Sequence, residues 1–194
     1  MEKSLKIATE LIDFIHESPS PYHVVANAAS MLEKAGFKKL QSTEKWNLQK
    51  GEKYYTMRNG SALFAFITGN EEPAETGVRM ICAHSDSPSF KIKPSPEMKV
   101  DDHYLKFNTE VYGGPILMSW LDRPLSMAGR VVLESNNPLE PEIRLVNFNR
   151  PMMVIPNLAI HLNRSVNEGV ELNKQTDMLP LTGILKEEQQ EKGF

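Results

Sequence analysis

Apolar residues return at helical spacing near the start of the chain: Leu5, Ala8, Leu11, Ile12 and Ile15, with Lys6, Glu10 and Asp13 between them. That period predicts an amphipathic helix over about residues 3 to 17, and Ser18-Pro19-Ser20-Pro21 stops it. Ser20 is placed to cap a second helix with Pro21 in its first position; the helix runs through Val24, Ala28 and Leu32 and ends at Gly36. The pattern then becomes that of strands. Tyr54 to Arg58 and Ser61 to Ile67 flank Asn59-Gly60, the pair best suited to a type I′ hairpin turn.

Val78-Arg79-Met80-Ile81-Cys82-Ala83 is a short apolar run that stops at His84-Ser85-Asp86-Ser87-Pro88. It reads as a buried strand delivering two polar side chains at its C-terminal end, where open α/β sheets bind their ligands. Joined to the hairpin, it predicts a mixed sheet flanked by helices. Pro94-Ser95-Pro96 then punctuates the chain. Beyond it come strand-like segments, Tyr104 to Tyr112, Ser126 to Leu133 and Ile143 to Phe148, separated by Gly and Pro signals. The expected class is α/β: residues 1–92 form the mixed sheet with its helices, and residues 93–194 a second, mainly β domain. From about residue 186 the chain has the polar composition of a frayed end.

Composition narrows the function classes. A chain of 194 residues with 40% hydrophobic and 24% charged residues is that of a globular protein with one or two domains. The net charge of -3, with no basic cluster interleaved with aromatics, argues against nucleic acid or an anionic membrane as partner. Nor does any apolar stretch reach bilayer-spanning length. A single Cys82 excludes an intrachain disulfide and, inside an apolar run, reads as a small buried hydrophobe. With no secretion-signal stretch in Met1 to Lys6, the expected compartment is the cytoplasm.

The candidate chemistry is His84 with Asp86. A neutral imidazole ligates zinc when its other ring nitrogen is held by a carboxylate, and Asp86 is near enough along the chain to do this. The spacing equally describes a loop histidine bonded to a nearby acid. Among the other histidines, His16 and His23 read as surface or capping residues and His103, beside Asp101 and Asp102, as part of a turn. His161, in an apolar segment after Pro156, reads from its neighbours as a core histidine. Glu71-Glu72 reads as solvated loop charge, and Glu187-Glu188 has no apolar strand to deliver it.

Three motifs in register change the weight of these residues: Ala83-His84-Ser85-Asp86-Ser87-Pro88, then Tyr112-Gly113-Gly114 with Trp120-Leu121-Asp122-Arg123, then Ile155-Pro156-Asn157-Leu158-Ala159-Ile160-His161-Leu162. Together they resemble the aspartyl aminopeptidase family of two-zinc exopeptidases, from about Leu5 to about Leu185, over the first part of that family's chain. The resemblance implies that His84 is a terminal ligand of one of two zinc ions and that Asp86 is the active-site carboxylate orienting it. It implies that His161 is carried by the second domain to a neighbouring subunit's substrate site, within a homo-oligomer assembled through that domain. Peptides losing an N-terminal, acidic residue are the implied substrates. The family's glutamate pair follows the strand histidine, whereas Glu71-Glu72 precedes it. The remaining ligands and the general base have no match, so the chain taken alone is expected to be inactive. A noncatalytic assembly or binding module is the alternative expectation.

Overall fold

A computed structural model describes residues 2–184 apart from 138 and 140. The polar tail expected from about residue 186, with Glu187-Glu188, lies outside the described residues. The elements run α1 (Glu2–His16), α2 (Pro21–Lys34), β1 (Lys38–Lys39), β2 (Lys53–Arg58), β3 (Ala62–Ile67), α3 (Pro73–Thr76), β4 (Ser89–Val100), β5 (Tyr104–Tyr112), a 3-10 turn (Leu117–Trp120), β6 (Ala128–Leu133), β7 (Glu142–Asn147) and β8 (Leu181–Ile184). They divide into two compact units, Met1–Asp86 with Ala128–Asn147, and Ser87–Met127 with Phe148–Phe194.

In the first unit both helices form where the apolar period places them. Ser20 caps α2 by accepting from the His23 backbone N–H at 3.5 Å, and Gly36 takes the positive φ of 84° that ends it. Val25 and Ala29, one turn apart on α2, are buried with Tyr54 and Tyr55 of β2. By contrast, α1 buries no residue; Leu5, Leu11, Ile12 and Ile15 all stay more than half exposed. The sheet is mixed, with β1 parallel to β2 and β2 antiparallel to β3. Asn59 and Gly60 both take the positive φ that a type I′ turn demands, 52° and 67°. The Tyr55 hydroxyl donates to Glu33 of α2. Burial, reinforced by that hydrogen bond and by the Glu33 charge, pushes its pKa up to about 12.

The run Val78–Ala83 is not a strand, contrary to its pattern. Val78 and Met80 are largely exposed, Ile81 is wholly exposed and Cys82 is exposed rather than buried. A strand exists only through a ladder partner, and among the described residues nothing pairs with this segment. The apolar pattern records a demand for cover that the neighbouring elements do not meet.

In the second unit β4 pairs antiparallel with β5, whose other edge takes β8, giving the order β4-β5-β8. Pro94-Ser95-Pro96 is not a boundary: it lies within β4, where the register shifts between Ile92 and Glu97. Proline has no N–H to give a ladder, and an edge strand with a bulge tolerates it. Strands β6 and β7 fall in two of the expected strand-like segments and pair as an antiparallel hairpin, but they group with the first unit rather than with the segments around them in sequence. Leu105, Ile155, Met178 and Leu179 form the buried apolar centre of the second unit, with Thr109 beside them in burial. Isolated bridges Leu121 to Ile155 and Leu125 to Met153 tie its loops to one another, and Val154 to Leu181 ties them to β8.

Candidate functional site

His84 and Asp86 are brought together although the strand expected before them does not form. The His84 Nδ1 lies 2.7 Å from the Asp86 backbone oxygen and 3.1 Å from its carboxylate Oδ1. A carbonyl oxygen only accepts, so Nδ1 carries a proton and donates to both. In the neutral ring that tautomer leaves Nε2 with its lone pair available to a metal. The His84 side chain is 81% exposed, so this nitrogen is accessible. Ser85, between the two, turns the other way, and its hydroxyl donates to the Ser61 carbonyl at 3.2 Å.

The other candidates fall elsewhere. His23 has its Nδ1 2.7 Å from Ser20 Oγ at the start of α2, and partial burial lowers its pKa. His16 ends α1, and His103 is exposed in the turn between β4 and β5. His161 is exposed on a turn in the second unit and is not a core residue there; Leu158, Ile160 and Leu162 around it are also more than half exposed. The segment leading to it is held by Asp122, whose Oδ1 accepts the Asn157 backbone N–H at 2.9 Å. Sequence reading singled out neither Ser85 nor Asp122 for these roles. A small hydroxyl inside a His-x-Asp triplet and an acid at a turn were the available signals, but their partners are distant in the chain.

The family model for aminopeptidase I zinc metalloproteases (M18) matches residues 14–193. The chain belongs to the M18 family. A probable M18 family aminopeptidase 2 from Clostridium novyi is 54% identical over 187 residues, covering 96% of this chain and 43% of that protein. Of solved M18 structures, the S. cerevisiae mApe1 dodecamer superposes with a TM-score of 0.75 at 31% identity, covering 96% of this chain and 40% of that one. A cryo-EM structure of the Ape4 and Nbr1 complex has a chain matching with a TM-score of 0.88 at 35% identity, over 96% of this chain and 36% of its own length. This chain therefore spans less than half the length of the M18 relatives it matches.

Zinc is the metal of the M18 family. His84 Nε2 fits as one ligand, with its other nitrogen already oriented, as zinc-bound imidazoles require. Among the described residues no group of three or more His, Cys, Asp or Glu gathers as a metal site. A catalytic zinc uses three protein ligands, more than the described residues bring together.

Proposed function

We propose that this chain contributes one metal-binding corner of a two-zinc aminopeptidase that removes N-terminal, acidic residues from peptides. The observation that carries the reading is the His84 ring, fixed by Asp86 at Nδ1 and open at Nε2. In this reading His84 ligates one zinc ion, and Asp86 holds the ring in the donating tautomer and raises the basicity of the bound nitrogen. Bound zinc would supply Lewis acidity and an activated water for peptide hydrolysis. The acidic preference rests on the family resemblance of the three motifs.

Residues from 87 onward, without the β6–β7 hairpin, are the proposed assembly unit, and His161 its substrate-binding residue in a neighbouring subunit. The exposed Leu158, Ile160 and Leu162 beside it support an association surface there. An M18 neighbour is a dodecamer, which favours a homo-oligomer for this chain as well. The cytoplasm remains the proposed compartment, and no described helix is long and apolar enough to cross a membrane. The second reading, an assembly or binding module without catalysis, is favoured by one observation, the lack of a three-ligand group among the described residues.

Titration of the chain with Zn²⁺, followed at the His84 ring by NMR, tests the reading. Zinc is expected to perturb Nε2 selectively, and His84→Ala to remove that site. Zinc that leaves the His84 resonances unmoved would return the histidine to an ordinary loop residue.

A further inference from the structure

The loop that carries His84 and Asp86 lacks the strand that its sequence pattern demands. Val78 to Ala83 pairs with nothing among the described residues, so none of these sets the position of the His84 backbone through a ladder. The loop nevertheless has a lateral hold. Ser85 is half-buried, and its Oγ donates 3.2 Å to the carbonyl of Ser61 in the β2–β3 turn, 24 residues earlier.

That turn is a firm anchor. Asn59 and Gly60 take φ values of 52° and 67°, and Ser61 closes the turn by donating its N–H to Arg58 O at 3.2 Å. Arg130 of β6 donates through Nη1 to the Asn59 carbonyl at 2.9 Å, while its guanidinium lies 4.5 Å over the Tyr22 ring of α2. A helix, a hairpin from later in the chain and the turn itself therefore converge on one carbonyl-rich corner of the first unit.

We infer that Ser85 is a positioning residue: its hydroxyl fixes the His84–Asp86 loop to the β2–β3 turn and so holds the His84 ring where Asp86 can orient it. Because His84, Ser85 and Asp86 are consecutive, tethering the middle residue sends its side chain toward Ser61 and restricts the φ and ψ freedom of both neighbours. The tether thus holds the geometry that sets the His84 tautomer, with no strand pairing behind it among the described residues. The inference rests on the reading of His84 as a metal ligand only in its zinc arm.

The test uses the 194-residue chain with ¹⁵N-labelled histidine. Ring ¹⁵N shifts report the His84 tautomer, and Zn²⁺ titration reports the affinity at Nε2. Ser85→Ala is expected to move His84 from the Nδ1–H form toward a mixture of tautomers and to weaken zinc binding at the ring about tenfold, the low end for groups that orient a metal-ligating histidine. The thermal midpoint should stay unchanged, and Ser85→Thr, which keeps the hydroxyl, should restore both readouts. Unaltered ring shifts in Ser85→Ala would overturn the inference. If His84→Ala leaves zinc affinity unchanged, the metal reading fails, while the ring shifts of Ser85→Ala still decide the role of Ser85.

Discussion

Asp122 and Asn157, 35 residues apart, are joined by one hydrogen bond: the Asn157 backbone N–H donates to Asp122 Oδ1 at 2.9 Å. Asp122 in turn donates its own N–H to the Ile155 carbonyl at 2.9 Å, next to the bridge between Leu121 and the fully buried Ile155. Two motifs that are separate in sequence thus become one structural piece, and the segment leading to His161 starts from it.

Asp122 has a φ of 56°, a conformation that Asp and Asn tolerate better than other side chains. Asp122→Ala loses the hydrogen bond and adds left-handed strain, so a loss of about 1 kcal/mol is expected at this exposed position. Asp122→Asn keeps both the acceptor and the tolerance and should be near neutral. Chemical denaturation of the two variants checks the difference; equal effects would mean that the carboxylate oxygen does not hold the Asn157 segment.

Tyr55 gives a pH dependence whose sign follows from its environment. Its folded pKa is raised to about 12, first by burial and then by Glu33, against an ordinary tyrosine value near 10. The unfolded chain therefore releases this proton first as pH rises. The stabilising contribution is complete below about pH 10 and is lost between there and about pH 12. Denaturation midpoints across that window should fall more steeply for the parent than for Tyr55→Phe.

Turnover tests the division of ligands. The 194-residue chain with added zinc should hydrolyse no acidic aminoacyl substrate measurably, because the described residues offer no three-ligand group and no general base has been identified in the chain. Zinc-dependent release of aspartate or glutamate that is abolished by His84→Ala would show that this chain completes the site from its own residues.

His161 is expected to act in an assembly. In a polypeptide of the relatives' length carrying this chain, His161→Ala should lower turnover about 10²- to 10³-fold while zinc content stays the same, as for loss of a transition-state contact. Light scattering of the 194-residue chain should also detect self-association. A monomer at high concentration together with normal activity of His161→Ala would reduce His161 to an exposed loop residue.

Much of the local structure was determined by the sequence alone. The periods of α1 and α2, the Ser20 cap with Pro21 behind it, and the Asn59-Gly60 turn all act within a few residues, so their physics is contained in the order of side chains. The pairing of His84 with Asp86 belongs to the same class, since they lie two positions apart and one loop sets their contact.

What only the tertiary structure decided depends on partners far away in the chain. Val78–Ala83 has the composition of a buried strand, but a strand is a property of two segments, and the second is not among the described residues. Pro94-Ser95-Pro96 looks like a boundary until β5 is seen to pair across it, making it a bulge in an edge strand. The β6–β7 hairpin follows the Ser87–Met127 segment in sequence, yet Arg130 commits it to Tyr22 and Asn59, because a cation finds a ring face and a carbonyl there. Ser85 likewise acquires its role only from Ser61: a hydroxyl specifies no partner until folding brings a carbonyl within reach.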